Sequence, residues 1–400
     1  MSLPPPYLSV VVTTRNDDHG GSLLRRMQAF VNGLTGQAMR HGVPIELVVV
    51  EWNPPPERPR LREALRWPAG RDGCQVRFIE VPGPVHARYK NAQALPLYQM
   101  IGKNVGIRRA AGEFVLATNI DILFSDRLMS FLAARQLAAG RMYRIDRHDA
   151  MAEIPVDAPV ADQLAYCETH LLRVNARDGT FPLSADGARL RGAEEDARDA
   201  ASSHGSPSPA ARPPGFFGKV AGVARRAAEN GPSIPIWVPV PRPVRSCLRF
   251  LLRTTAPGAG ERARVAEAAR RLPNEVHTNA CGDFTLMARS DWLNLRGYPE
   301  WDMYSFHIDS VLCFAAHYGG VREAMLEEPM RIYHMEHGSG WTPEGQQQLF
   351  ARLREKGIGW LDFEDLVEMA WQMRRLESPM IFNQESWGLA DCDLPETRLG

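Results

Sequence analysis

The chain has 400 residues, 47 basic and 47 acidic, and a formal net charge of zero. That length holds one large domain or two with ample core, and the charge balance argues against nucleic acid as the main partner. The six cysteines (Cys74, Cys167, Cys247, Cys281, Cys313, Cys392) lie far apart with no CxxC pair, which argues against a zinc site or a disulfide framework and makes a reducing cytoplasm the default.

The opening MSLPPPYLSVVV lacks the basic start and long apolar core of a signal peptide. No apolar run nears the roughly 20 residues that a membrane-spanning helix needs. Leu8 to Thr13 (LSVVVT) is a continuous β-branched run, the pattern of a strand buried on both faces. A polar turn follows, from Arg15 to Gly21. Apolar residues at Leu23, Leu24, Met27, Phe30, Val31 and Leu34 then fit one helix face. Ile45 to Val50 predicts a second buried strand ending in Glu51, and Val76 to Val81 alternates like a third. Tyr98 to Ala111 predicts a helix, and Glu113 to Thr118 the next strand. Strand and helix alternate, so the first half predicts an α/β fold, a mostly parallel sheet covered by helices.

Composition then shifts. Residues 184–233 are dense in Ala, Arg, Gly, Ser, Pro and Asp and predict a disordered insertion. In 234–253, Arg242, Arg245, Arg249 and Arg253 alternate with apolar side chains. This stretch fits either a helix packed on the core or a peripheral contact with an anionic membrane. Regular structure is expected to resume near Asn274. Thr342-Pro343 reads as a helix start, and Phe363, Leu366, Val367, Ala370 and Trp371 mark a last amphipathic helix.

In open α/β sheets, ligands bind outside the carboxyl ends of the strands. Three clusters fall there: Thr13-Thr14-Arg15-Asn16, Glu51-Trp52-Asn53 and Asn119-Ile120-Asp121. Hydroxyls, an acid and an amide suit a nucleoside, and Asp121 suits a divalent cation on a diphosphate. Asp121 also fits a turn or cap, and Asp126 a helix cap. Neither GxGxxG nor GxxxxGK[ST] is present.

Four stretches together carry a resemblance: LSVVVTTRND, IELVVVEWN, GKNVGIRRAAGEFVLATNIDILFSDRL, and CGDFTLMARSDWLNLRGYPEWDMYSFHIDSVLCFAAHYGG. The set resembles a GT-A glycosyltransferase of the family-2 kind over residues 8–132 and 279–335. Asn104, Gly106, Ile107, Gly112 and Glu113 match the family's passage from helix to strand. The chain departs from the pattern twice: its DxD reads Asn119-Ile120-Asp121, and the usual Asp-Asp after the second strand reads Glu51-Trp52.

The resemblance implies a nucleotide-sugar half over 1–183 and an acceptor half over 276–340; composition and the helix signals add an insertion over 184–275 and a helical extension over 341–400. It implies that Thr13, Arg15, Glu51, Asn53 and Asn104 bind the donor, expected to be UDP-linked. It implies that Asp121, Asn119 and His334 hold Mn²⁺ or Mg²⁺, with His334 favoured over His337 because it ends the strand-like run. Asn119→Asp, which restores two acids, is then expected to tighten the metal.

Asp309 is the implied general base of an inverting transfer, and Asp283 the implied contact to a saccharide or lipid-linked acceptor. Asp309 also fits a helix cap, and the two histidines a surface loop. The function so implied is sugar transfer in bacterial surface-polysaccharide assembly, in the cytoplasm or at the inner face of its membrane. The alternative is an inactive nucleotide-sugar-binding partner in an assembly complex.

Overall fold

The computed structural model describes residues 6–68, 73–184, 187–190, 275–337 and 343–399. Most of the 184–233 insertion, all of 234–253 and the cap residue Thr342 lie outside the described residues.

The first strand, β1 (Leu8–Thr14), is buried along its whole length, as its β-branched run requires. Helix α1 (Leu23–His41) leads to β2 (Ile45–Trp52), the short α2 (Leu61–Ala64) and β3 (Cys74–Val81). The short α3 (Gly83–His86) and α4 (Gln99–Arg109) precede β4 (Phe114–Thr118) and β5 (Ile122–Phe124). After α5 (Asp126–Ala133) come β6 (Arg141–Ile145), β7 (Arg147–Ala150), α6 (Val160–Thr169), β8 (Leu171–Ala176) and β9 (Gly179–Pro182). The chain re-enters with β10 (Phe284–Ala288), α7 (Arg289–Leu295), α8 (Ile308–Tyr318), β11 (Arg322–Leu326) and β12 (Ile332–Met335). It closes with α9 (Pro343–Glu355), α10 (Phe363–Leu376) and β13 (Glu396–Leu399).

The large sheet runs β11-β6-β10-β4-β1-β2-β3-β13. Its middle, β4-β1-β2-β3, is parallel, and β10 and β13 lie antiparallel to their neighbours β4 and β3. One face packs on α1 and α5; the other packs on α4, α7, α8 and α10, so the final helices belong to the core. The helical extension expected after 341 holds α9 and α10, and the chain then returns as β13 to cover the β3 edge, which would otherwise offer unpaired backbone groups.

The passage from α4 to β4 owes its residues to packing. Gly106 lies on Val11 and Val50, where a Cβ would collide with their methyl groups, and Gly112 lies on the Ser9 backbone. Each glycine allows a close approach that a side chain would prevent. At the same end of the sheet, Ala111 donates its backbone N–H to Glu46 and Gly112 donates to the Ser9 hydroxyl, each at 2.8 Å. Arg77 then bridges Glu46 (2.5 Å) and Glu396 of β13 (2.9 Å).

A second sheet, β5-β12-β7-β8-β9, was not foreseen from the sequence. Its strands β7 and β9 are short and rich in polar residues (RHDA, GTFP), so neither alternation nor an apolar run marks them. Both sheets interleave the stretches before and after the insertion: β10 sits between β6 and β4, and β12 between β5 and β7. Among the described residues no helix is long and apolar enough to cross a membrane.

Candidate metal centre

Asp121 follows β4 by a short turn and directly precedes β5. Strand β12 pairs with β5 so that His334 faces Ile122, and the Met335 N–H donates to the Asp121 carbonyl at 3.0 Å. On its other side β12 runs parallel to β7 with His334 beside Asp149, and β8 sets Arg173 beside Asp149. Register alone thus places His334, Asp149 and Arg173 in one row across the small sheet.

The row ends in a cluster of donors. Asp121 Oδ2 lies 3.2 Å from His337 Nε2 and 3.9 Å from His334 Nε2. One ligand atom from each of the three residues fits within a span of 4.8 Å. On the far side of the His334 ring, Nδ1 is 3.2 Å from Asp149 Oδ1. A carboxylate on one imidazole nitrogen leaves the other nitrogen's lone pair for a cation, the usual outer support of a metal-binding histidine. Asp149 is itself gripped by Arg147 (2.8 Å) and Arg173 (2.5 Å).

Three buried atoms here have no hydrogen-bond partner among the described residues: Asp121 Oδ1, Arg26 Nε and Arg147 Nε. Buried polar atoms are normally satisfied, so an orphaned carboxylate oxygen beside two imidazoles is an arrangement that could hold a cation. The donor set of one carboxylate and two imidazoles fits a divalent transition ion; Mg²⁺ prefers an all-oxygen shell. Arg26 Nε is 3.7 Å from Asp121 Oδ2, and its other nitrogens bond the carbonyls of His19 and Gly21. Gly20 lies so close to the His337 ring that any side chain there would collide with it.

Charge follows geometry. Burial opposes ionisation of Asp121, but the His337 hydrogen bond and the charges of His334, His337 and Arg26 outweigh it and hold the carboxyl at about 2. Burial and Arg147 disfavour a charged His334, yet Asp149 and Asp121 raise its pKa above the ordinary value. Protons therefore compete with a cation for this ring as pH falls.

The other expected site residues divide. Asn119 was expected to hold metal; its side chain instead donates to Asp283 Oδ1 at 2.5 Å and accepts from Gln99 Nε2 at 3.0 Å. Asp283 was expected to touch the acceptor and is instead buried, bonded to Asn119 and to Arg147 at 2.5 Å. Thr13 is buried, with its hydroxyl on the Val50 carbonyl at 3.2 Å. Glu51 lies inside β2, accepts the Leu61 N–H at 3.0 Å, and is pushed by burial to a pKa of about 7. Asn104 is fully buried and holds the backbone of Tyr298 through both ends of its amide. These three were expected to bind the donor, but their polar groups are consumed within the fold. Arg15 and Asn53 are the two of that set left partly exposed; Arg15 Nε donates to the Asn53 carbonyl at 2.7 Å.

Asp309 sits in the first turn of α8, past a cap position filled by His307, so it is not the helix cap. Ser125, not Asp126, caps α5, its hydroxyl accepting the Leu128 N–H. The Asp309 carboxylate lies so close to Gly282 that a Cβ there would meet it. Burial raises its pKa, opposed by the Cys281 thiol and by Lys103. Lys103 is fully buried and donates to the Gly282 carbonyl at 2.6 Å. Because β10 pairs antiparallel with β4, the 281–283 turn, and with it Asp309, lies at the strand end that carries Asn119 and Asp121.

Sequence reading missed His337 as an equal ligand, and Arg26, Arg147, Asp149 and Arg173 altogether. The spacing His334-x-x-His337 was the one available signal. No protein-family model matches the chain, and no curated protein matches it.

Proposed function

We propose that this protein is a GT-A-type glycosyltransferase that uses a divalent cation to transfer a sugar from a nucleotide-sugar donor to a saccharide or lipid-linked acceptor. The observation that carries the reading is the Asp121, His334 and His337 cluster at the carboxyl end of the central strands, with an unpartnered Asp121 oxygen. A cation held by Asp121, His334 and His337 would supply positive charge against the leaving diphosphate. Arg26 adds a second positive charge beside Asp121. Arg15 and Asn53 stand where a nucleoside would lie, at the ends of β1 and β2. Asp309 takes the acceptor proton, and a carboxylate whose pKa burial has raised suits that work better than an ordinary one.

The second reading, a nucleotide-sugar-binding partner without transfer activity, is favoured by one observation: Thr13, Glu51 and Asn104 are already spent on internal bonds. One experiment separates the two. UDP is titrated with and without Mn²⁺ or Mg²⁺, and a panel of nucleotide sugars is then assayed for hydrolysis or transfer. Cation-dependent UDP binding with turnover supports the enzyme; binding without turnover supports the partner; no binding in either condition rejects both.

A further inference from the structure

Asn119 stands where the resemblance places an acid, and its surroundings say why it is an amide. Its oxygen accepts from Gln99 Nε2 at 3.0 Å, while its nitrogen donates to Asp283 Oδ1 at 2.5 Å. A carboxylate can only accept, so an acid at 119 could not make the second bond. Asp283 continues the chain of contacts. Its other oxygen takes Arg147 NH1 at 2.5 Å; Arg147 Nε meets Asp149 Oδ1 at 2.8 Å; and that same oxygen faces His334 Nδ1 at 3.2 Å. Gln99 anchors the far end, accepting the Ser305 hydroxyl at 3.1 Å.

We propose that Asn119 is a positioning residue rather than a metal ligand: through Asp283, Arg147 and Asp149 it fixes the His334 ring so that Nε2 faces Asp121. The proposal rests on the metal reading of the Asp121, His334 and His337 cluster.

Its consequence inverts the expectation drawn from the family pattern. Asn119→Asp supplies the missing acid, yet it sets two buried carboxylates against each other. One must take up a proton or move away. Asp283 then holds Arg147 less firmly, and Arg147 is half of the grip on Asp149. Loss of outer support for a metal-binding histidine typically weakens the metal by about 10–100-fold.

The test is Mn²⁺ titration of the full-length protein, followed by electron paramagnetic resonance of the free ion, together with thermal melts of the metal-free protein at pH 7. Asn119→Asp should bind Mn²⁺ about tenfold more weakly or worse, and its melting temperature should fall below that of wild type. The paired swap Asn119→Asp with Asp283→Asn returns one donor and one carboxylate to the contact, so it should recover most of both losses. Asp283→Asn alone should also weaken Mn²⁺, and it serves if Asn119→Asp does not fold. Mn²⁺ binding by Asn119→Asp as tight as wild type or tighter overturns the proposal, as does a swap that rescues nothing. If wild type binds no Mn²⁺, the metal reading fails, and with it the Nε2 role; the melts alone then decide whether Asn119 and Asp283 are matched as donor and acceptor.

Discussion

The large sheet and the small sheet both carry polar residues inside their strands, and they differ in where those residues lead. In the large sheet Ser9, Thr13, Glu46, Glu51 and Arg77 each find a partner within the fold. In the small sheet Arg147, Asp149, Arg173 and His334 also pair with one another, but the row leads to Asp121, which keeps one oxygen free. A polar residue at a strand end is thus a poor guide to binding by itself. What matters is whether neighbouring strands leave it a spare donor or acceptor.

The sharpest way to break this contrast is to remove the spare oxygen. Asp121→Ala should abolish cation-dependent UDP binding in a calorimetric titration, with the circular dichroism spectrum retained; unchanged binding would move the site elsewhere. Next in size is Asp309→Asn, which keeps the shape and removes the base. Sugar transfer should fall by about 10²–10⁴-fold while UDP affinity stays within about twofold. Equal losses in turnover and affinity would show that Asp309 supports the donor site instead.

Much of the large sheet was legible in the sequence. The runs at Leu8, Ile45 and Phe114 are mostly β-branched or apolar, and the helix periodicity at Leu23 and Phe363 is plain. Asp121 and His334 were legible too, from their places at the ends of apolar runs. The support around them was not. Asp149 and Arg173 gain their meaning from strand register between segments far apart in the chain, and a four-residue strand such as β7 shows no period of its own. For the same reason Asn104 looked like a site residue, although its neighbour is the Tyr298 backbone.

Stability measurements sharpen the other side of the comparison. Arg77→Met leaves Glu46 and Glu396 without their shared guanidinium, and stranding a buried charge in this way costs about 3–5 kcal/mol. Denaturant melts should show that loss while Mn²⁺ binding stays at the wild-type level. A smaller effect belongs to Glu51, whose carboxyl is raised from its ordinary value of 4.5 to about 7, chiefly by burial. Between those values the folded state binds a proton that the unfolded state has lost. Stability from this group is therefore full below about pH 4.5, declines as pH rises, and is gone above about pH 7. Glu51→Gln keeps an acceptor for the Leu61 N–H and removes the titration. At pH 8 it should be more stable than wild type, by about 3 kcal/mol at most, and at pH 4 nearly equal. A gain that does not change with pH would mean that Glu51 is ionised in the fold.

The position of β12 also sets when the site can exist. It lies between β5 and β7, so it joins strands made early in synthesis by arriving late. Until residues 332–335 have left the ribosome, Asp121 and Asp149 have no His334 between them. A nascent chain therefore displays the two carboxylates without the imidazoles that would make them a cation trap. The cluster of Asp121 with the two histidines and the completed fold therefore form together as a single late event, and contacts between such distant segments are slow to form.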